Sequence, residues 1–377
     1  MTHIVHLITG LEVGGAEMTL ARLVERLDPA RFQSTVVSLA PEGSLAARIR
    51  AVGVPVHSLG MGRNSVFALG GAVKLWKLLR VLKPDILQTW LYHADFLGLV
   101  VGRLVGVRPI LWNLRCADMD LSRYAVTTSL AIAGLARLSR WPDAVIANSQ
   151  AGRDWHERLG YHPRRWVVIA NGFDTERFKP RPEARERLRA ELGIGERELV
   201  IGTVSRFDPM KDPHAFLKAA AMLALRRADV HFVMVGRGLE AGNRDLTGDG
   251  LSAGLGRQLH LLGQRDDVPE LLAGFELFTL TSRSEGFPNA LGEAMASGLA
   301  CVATDVGDVR LLLGDTGRIV ARGDPAAMGQ AWQDLLATGP AARAALGARA
   351  RARIEAEFSL TKAVGAYESL YAEMARQ

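Results

Sequence analysis

The sequence predicts an α/β protein with two doubly wound, Rossmann-like parallel-sheet domains facing each other across a cleft. The 377 residues leave room for two domains of roughly 100–200 residues each. Short apolar runs alternate with helical patterns in both halves, as parallel sheets covered by helices require. A proline-marked segment at 178–182 separates the two series. The carboxyl ends of the strands, where such sheets bind ligands, would face the cleft.

In the first half, apolar runs predict seven strands at 4–8, 34–39, 54–58, 85–89, 110–113, 144–148 and 167–169. Helical patterns between them predict helices at 16–27, 44–52 and 68–82. After the linker, a charged helix is followed by strands predicted at 199–204, 231–236, 258–262, 277–280 and 300–306. Helices are predicted at 215–225, at 268–273 and through most of the chain from about 325 to 377.

Composition excludes several classes of protein. The chain is 48% hydrophobic and 23% charged, which is ordinary for a soluble globular protein. Cys116 and Cys301 lie far apart without metal or redox spacing, so no metal site and a reducing, cytoplasmic location are expected. The first residues read as a strand rather than a signal peptide, and no apolar run reaches the roughly 18 residues of a membrane span.

Charge is distributed unevenly along the chain. Residues 1–171 hold 20 lysines and arginines against 12 acids, a net of +8, and the remainder holds 26 against 28, a net of −2. A basic first half favours an anionic partner, such as the inner face of the cytoplasmic membrane or a lipid-linked phosphate, although charge for solubility alone is the alternative. Nucleic acid is disfavoured because no binding motif is present.

The segment at 277–298 is the most informative one. It predicts a buried strand, a glycine loop and a helix that begins at Pro288 and ends near Gly298. Glu285 falls in the loop, and Glu293 lies more than one turn into the helix. A helix N-terminus favours a phosphate, and flanking carboxylates can accept hydrogen bonds from sugar hydroxyls. The pattern indicates nucleotide-sugar binding, against the alternative of two solvated charges.

A second constellation follows the first strand of the second half. Arg206 and Lys211 lie five residues apart at the predicted carboxyl end of that strand, within reach of a diphosphate. If a nucleoside diphosphate leaves, these cations stabilise the charge that develops on it. The alternative is a pair of surface charges around a turn.

Four other strand ends give weaker signals. Gly14 and Gly15 open the first helix and allow close approach of an anion, or form a plain tight turn. His93 follows a strand and would lie at the cleft rim. Gly236 ends a strand and could contact the base or phosphates, and the loop containing Arg265 could present backbone groups to a nucleobase. Each of these could equally be structural.

The order of these pieces resembles the retaining glycosyltransferases of family 4, which have the GT-B fold. The resemblance spans essentially the whole chain. It rests on Gly-Gly-Ala-Glu at 14–17, His93, the Arg206/Lys211 pair, and the two glutamates Glu285 and Glu293 separated by seven residues. Further landmarks are Asn148-Ser149, Asn171-Gly172-Phe173-Asp174, Asp305-Val306-Gly307 and Gly314-Asp315-Thr316-Gly317. The family commonly has Gly-Arg-Leu at the arginine, and the same three positions read Ser205-Arg206-Phe207 here.

The resemblance implies roles for these residues. Arg206 and Lys211 would bind the donor diphosphate, Glu293 the ribose and Glu285 the transferred sugar. Gly14 and Gly15 would close over the phosphates, and His93 would lie beside the sugar. Backbone N–H groups of the segment at 287–291 would complete the site; its residues are Phe287, Pro288, Asn289, Ala290 and Leu291.

The resemblance also implies a division of labour. Residues 1–175 would form the acceptor-side domain, residues 176–359 the donor-binding domain, and a last helix at about 360–377 would pack back on the first domain. The expected activity is transfer of a hexose or N-acetylhexosamine from a nucleotide-diphosphate sugar, UDP-linked more than GDP-linked, without any further cofactor. The expected acceptor is a glycan or lipid-linked sugar in bacterial surface polysaccharide assembly. The alternatives are an epimerase or phosphorylase of the same fold, or a non-catalytic sugar-binding protein.

Overall fold

A computed structural model describes residues 1–62, 69–117, 126–248 and 250–376. The chain forms two compact units. The first comprises Met1–Gly172 together with the C-terminal segment from Thr361, and the second comprises Phe173–Leu360.

The N-terminal unit is built on a seven-stranded parallel sheet with the order β3-β2-β1-β4-β5-β6-β7. Its strands are β1 (Thr2–Ile8), β2 (Phe32–Ser38), β3 (Val56–Ser58), β4 (Ile86–Trp90), β5 (Ile110–Leu114), β6 (Ala144–Ala147) and β7 (Trp166–Val168). Its helices are α1 (Gly15–Val24), α2 (Leu45–Ala51), α3 (Leu69–Leu82), α4 (Tyr92–Val105), α5 (Val126–Leu138) and α6 (Gln150–Arg158). The strand order reverses between β1 and β4, so the loops after these two strands adjoin at the carboxyl edge.

The C-terminal unit contains a six-stranded parallel sheet with the order β10-β9-β8-β11-β12-β13. Its strands are β8 (Leu199–Val204), β9 (Val230–Val235), β10 (Leu259–Gly263), β11 (Leu277–Leu280), β12 (Ala300–Thr304) and β13 (Gly317–Val320). Its longer helices are α7 (Pro182–Leu192), α8 (Pro213–Ala224), α12 (Asn289–Ala296), α14 (Pro325–Ala337) and α15 (Pro340–Glu357). Shorter helices are α9 (Arg244–Thr247), α10 (Leu251–Leu255), α11 (Val268–Ala273) and α13 (Val309–Leu313). The switch point here lies between β8 and β11.

The last helix, α16 (Leu360–Met374), contributes its buried aromatic residues to the N-terminal unit. The hydroxyl of Tyr371 donates to Oε1 of Gln88 at 2.5 Å, and the amide of Asn113 donates to the hydroxyl of Tyr367 at 2.9 Å. These bonds join the helix to the sheet strands β4 and β5.

The predicted class of two Rossmann-like parallel sheets is confirmed, and every predicted strand is present to within two residues at each end. The helices α4, α5, α6, α9, α10 and α13 and the strand β13 went unpredicted. The region predicted to be helical from about residue 325 consists of three helices, with breaks at Gly339 and Ser359, and the last of them begins at Leu360. The helix predicted from 68 starts at a residue outside the described ranges. Among the described residues, no helix is both long and apolar enough to cross a bilayer.

Candidate active site

Lys211 and Glu285 meet at the switch point of the C-terminal sheet. Lys211 Nζ lies 2.6 Å from Glu285 Oε1, and the hydroxyl of Ser282 donates to the same oxygen at 2.6 Å. The glutamate side chain is 9% exposed and the lysine side chain 22%. A cation and a carboxylate are thus held together, largely shielded from solvent, at the carboxyl ends of neighbouring strands. This is the arrangement that can bind an anion and a hydroxyl side by side.

Local hydrogen bonds fix the loop that carries Lys211. The hydroxyl of Thr281, just after β11, donates to the Lys211 carbonyl at 3.0 Å. Asp212 has a left-handed backbone (φ 47°), and its carboxylate accepts from the Ala215 N–H to cap α8. Arg283 Nε donates to the same aspartate at 2.5 Å. The loop after β8 is therefore fastened to the loop after β11.

The backbone of the Glu285 loop rests directly on Gly307. A Cβ at Gly307 would lie 2.1 Å from the Glu285 carbonyl oxygen, and the residue has φ 52°. Asp308 N–H donates to the Gly286 carbonyl at 3.1 Å. Only glycine permits this approach, which explains physically why a glycine follows Asp305-Val306.

Helix α12 begins one residue later than predicted. Pro288 is the residue preceding the first helical turn, because its backbone is extended (φ −78°, ψ 102°), and Asn289 is the first helical residue. Pro288 has no N–H group. The backbone N–H donors at the start of the helix are therefore those of Asn289, Ala290 and Leu291. Glu293 lies in the second turn and is partly buried.

An aromatic cluster anchors α12. Phe287 stacks on Phe173 with ring centroids 6.1 Å apart and contacts Phe358 at 5.6 Å. Gly292 lets the helix lie against Phe173, since a Cβ there would come within 2.0 Å of the ring. The segment at 287–291 is thus held by packing rather than left as a free loop.

Arg206 lies on the same loop as Lys211 and is paired within the loop. Its guanidinium donates to Asp208 Oδ2 from Nε at 2.9 Å and from Nη2 at 2.8 Å, while its side chain stays 54% exposed. Burial alone would raise the pKa of Asp208, but hydrogen bonds from the Met210 N–H and Arg206, with the nearby charge of Lys211, leave it below its usual value. An incoming anion would therefore compete with Asp208 for this arginine.

Gly236 and Arg265 follow the next two strands. Gly236 has φ 138°, and a Cβ there would sit 1.8 Å from the Ser205 carbonyl oxygen, so the end of β9 lies against the loop that carries Arg206. Arg265 directs its guanidinium to Asp267 and Glu191, and these hydrogen bonds raise its pKa further. Its side chain is committed to these carboxylates, which leaves the backbone of this loop for any ligand contact.

Three sequence-predicted residues belong to the N-terminal unit. Gly14 precedes α1 with an extended backbone (φ −157°), and Gly15 is the first helical residue. A Cβ at Gly14 would lie 2.4 Å from Glu17 Oε2, so glycine here serves close approach rather than a left-handed turn. Burial raises the pKa of Glu17, although the nearby Arg115 opposes this.

His93 is the second residue of α4 rather than part of a loop after β4. The helix starts abruptly because Leu91 has φ 72°, a conformation unusual for leucine, and reverses the chain directly after Trp90. His93 is exposed, yet desolvation by the surrounding protein lowers its pKa. The ring is therefore neutral at pH 7 and able to donate or accept a hydrogen bond.

Sequence reasoning missed Arg115, which follows β5 at the same sheet edge. Its Nη2 donates to Thr19 of α1 at 2.8 Å and to Asn171 at 2.5 Å, and its guanidinium lies 5.7 Å from the Trp90 ring centroid. Nε and Nη1 are buried and have no hydrogen-bond partner among the described residues. The signal that identified Arg206, a cation directly after a strand, was present here too.

Comparison with known proteins matches both units to glycosyltransferase models. Residues 13–177 match Glycosyltransferase Family 4, and residues 198–338 match Glycosyl transferases group 1. The lipopolysaccharide core biosynthesis mannosyltransferase LpsB of Rhizobium meliloti is 31% identical over 91% of this chain and 94% of its own length. An Escherichia coli UDP-Gal:alpha-D-GlcNAc-diphosphoundecaprenol alpha-1,3-galactosyltransferase is 28% identical over 62% of this chain and 61% of its own.

Among solved structures, Anabaena Alr3699/HepE in complex with UDP covers 99% of this chain and all of its own, with a TM-score of 0.84 and 23% identity. This likeness shows a common fold. The extent of the match to LpsB, together with the two family models, shows the family. The chain is a glycosyltransferase and belongs to the group 1, family 4 glycosyltransferases.

Proposed function

We propose that this enzyme transfers a sugar from a UDP-sugar to a lipid-linked sugar acceptor with retention of anomeric configuration. The observation that carries the proposal is the Lys211–Glu285 contact at 2.6 Å, which joins the cation of one predicted constellation to the first glutamate of the other. The Anabaena protein that shares the fold binds UDP, and this supports the choice of base.

In the proposed donor complex, the diphosphate lies between the α12 N-terminus and the two cations Arg206 and Lys211. The N–H groups of Asn289, Ala290 and Leu291 and the helix dipole favour its negative charge. As the bond from the sugar to the diphosphate breaks, both cations stabilise the charge on the leaving group. The acceptor hydroxyl then attacks the same face of the sugar and passes its proton to the departing diphosphate, and no residue is assigned as a covalent nucleophile.

The remaining proposed roles are those that the family resemblance implies. Glu293 holds the ribose hydroxyls, and Glu285, oriented by Lys211 and Ser282, holds the transferred sugar. Gly14 and Gly15 approach the phosphates, and the neutral ring of His93 lies beside the sugar. Backbone groups of Gly236 and of the loop containing Arg265 contact the base.

A lipid-linked acceptor at the cytoplasmic face of a bacterial membrane is supported by two observations. The Escherichia coli relative acts on a diphosphoundecaprenol-linked sugar, and LpsB acts in lipopolysaccharide core assembly. The net charge of +8 on residues 1–171 suits an anionic lipid or a lipid diphosphate.

The test is donor turnover by wild type and by Lys211→Ala. We expect release of UDP from one member of a UDP-sugar panel, and we expect Lys211→Ala to lower kcat by about 100-fold or more, because it removes a preorganised cation from the leaving group. The matched control is Lys218→Ala on α8, an exposed lysine away from Glu285, which should leave kcat unchanged.

Product stereochemistry completes the test. Proton NMR of the product should show the donor's anomeric configuration, and inversion would remove the retaining mechanism. Near-normal turnover by Lys211→Ala would remove the proposed role of this lysine. A preference for GDP-sugars would overturn only the assignment of the base.

A further inference from the structure

The outward face of α3, α4 and α5 combines exposed cations with exposed apolar side chains. The three helices cover one side of the N-terminal sheet, because their buried residues, among them Leu75, Leu97 and Leu135, belong to one core with strands β1, β4 and β5. No buried residue of α1 or α2 belongs to this core. We call the exposed residues of α3, α4 and α5, with Arg140 and Trp141, the helix face.

The helix face is basic and carries no exposed acid. Helices α3 and α5 contain no aspartate or glutamate, and Asp95, the single acid of α4, is fully buried and accepts a hydrogen bond from Thr89. The cations of the face are Lys74, Lys77, Arg80, Arg103, Arg137 and Arg140. Within the described ranges none of them forms a salt bridge, whereas Arg349, Arg351 and Arg353 of α15 are all paired with carboxylates.

Large apolar side chains are exposed between these cations. Val81 is 78% exposed, Leu104 74% and Trp141 48%, and Val73 and Val100 are also exposed. A cation lies next to an exposed apolar residue in the last turn of α3 and of α4 and just after the end of α5: these pairs are Arg80-Val81, Arg103-Leu104 and Arg140-Trp141. Arg103 donates to the Trp141 carbonyl and lies over its ring, which joins the second pair to the third.

This combination matches the physical chemistry of a bilayer surface. Cations attract anionic headgroups, exposed aliphatic side chains enter the acyl boundary, and tryptophan favours the interface itself. A nucleic acid would leave the aliphatic groups without a partner, and an acidic protein would have to match cations spread over three helices. We infer that the helix face is a docking surface for an anionic lipid bilayer.

The end of the helix face closer to the proposed acceptor site is the start of α4, because this helix begins at the carboxyl edge of the sheet. His93 opens α4, and Val100 and Leu104 lie farther along the same helix, about 10 and 16 Å away at 1.5 Å per residue. A sugar diphosphate whose lipid stays in the bilayer could span such a distance. This link between the bilayer and the acceptor rests on the proposed lipid-linked acceptor, whereas the inference that the helix face binds a bilayer does not rest on it.

The test is cosedimentation with sucrose-loaded vesicles of phosphatidylcholine containing 30% phosphatidylglycerol. Each cation near such a surface contributes about a fivefold change in affinity, so Arg80→Gln with Arg140→Gln should weaken binding about 25-fold. The matched control, Arg187→Gln with Arg226→Gln, removes two exposed arginines from the C-terminal unit with the same change in net charge and should have little effect.

The apolar contribution needs a second variant. Val81→Ser with Leu104→Ser should weaken vesicle binding at least about tenfold. Burial of apolar area is not screened by salt, so wild type should retain some binding in 0.5 M NaCl, and the double variant should lose that residual binding. Both residues are largely exposed, so this variant should keep its fold, which circular dichroism would verify.

Three outcomes would overturn the inference. The first is that wild type does not bind anionic vesicles. The second is that the test and control arginine pairs weaken binding equally. The third is that light scattering shows a dimer of wild type that becomes a monomer in the variant Val81→Ser with Leu104→Ser. UDP release without vesicles separates this inference from the proposed function. Normal release without vesicle binding rejects the docking surface alone, and vesicle binding without release from any donor rejects the proposed chemistry alone.

Discussion

At the scale of single residues, glycines mark where the site tolerates no side chain. Gly307 and Gly236 both have left-handed φ values and both lie against a backbone carbonyl, of Glu285 and Ser205 respectively. Gly323 also has a positive φ of 73°, but nothing lies within 4 Å of where its Cβ would be. An alanine at Gly323 would therefore introduce backbone strain alone, whereas an alanine at Gly307 would add a steric clash with the Glu285 backbone.

We predict that Gly307→Ala lowers kcat by about 100-fold, because displacing the Glu285 backbone by about 1 Å misplaces the carboxylate that we propose to hold the transferred sugar. Gly323→Ala should cost stability alone, about 1 kcal/mol of conformational strain. Steady-state kinetics and urea unfolding of both variants would check this. Equal kcat values for the two variants would show that contact with Glu285 does not matter.

The same scale shows where sequence reasoning stops. Arg206 and Arg265 each follow a strand, yet Arg206 remains half exposed beside Lys211 whereas Arg265 is bound by Asp267 and Glu191. Glu191 lies on α7, 74 residues away in the chain. No local pattern specifies such a partner, because it depends on how the helix packs.

At the scale of elements, strands were easier to predict than helices. Buried parallel strands are short apolar runs with clear ends, and the strands at 199–204 and 277–280 were predicted to the residue. Helix α4 was missed because its sequence is apolar on most sides and starts without a capping side chain, directly after Trp90. Strand β13 was missed because it is a four-residue edge strand without a continuous apolar run.

The last helix gives a prediction at this scale. Tyr371 of α16 donates to Gln88 Oε1 in β4, and both side chains are fully buried. Tyr371→Phe should lower the free energy of unfolding by about 1–3 kcal/mol, because it leaves a buried amide oxygen unpaired.

Ser369→Ala is the control on the same helix. Its exposed hydroxyl donates to the Gly365 carbonyl within the same helix, so the change should stay within about 0.5 kcal/mol. Urea denaturation measures both variants. Equal stability of the two would mean that the buried hydrogen bond does not help to hold α16.

At the scale of the whole molecule, the sequence predicted the repeated plan better than the balance of charges within it. Alternating apolar runs suffice for two parallel sheets, since each sheet must be covered on both faces. The net charge of residues 1–171 indicated a basic unit but could not show that α3, α4 and α5 collect cations that form no salt bridge with any described residue. That required knowing which acids are buried, as Asp95 is, and which bond to the backbone, as Asp85 does to the His3 N–H.

Buried histidines set a pH dependence for the fold. His156 is fully buried, with its ring edge-on to Trp155 and Tyr161. Its neutral form is fully bonded, because Nδ1 donates to the Gly152 carbonyl at 2.7 Å and Nε2 accepts from the Tyr92 hydroxyl at 3.0 Å. Burial lowers the pKa of His156 to about 4 even though the Gly152 carbonyl favours the charged form.

The sign of the effect follows from linkage. In the unfolded chain histidine has a pKa of about 6.5, so on acidification the unfolded state binds the proton first and stability falls between about pH 6.5 and 4. From pH 7.5 to pH 5.0, wild type should lose about 2 kcal/mol more unfolding free energy than His156→Gln, which removes this titration and keeps a polar side chain. Urea denaturation of both proteins at the two pH values gives this difference directly, and other titrating groups cancel in it. Equal losses would mean that His156 titrates alike in both states, contrary to its burial between two aromatic rings.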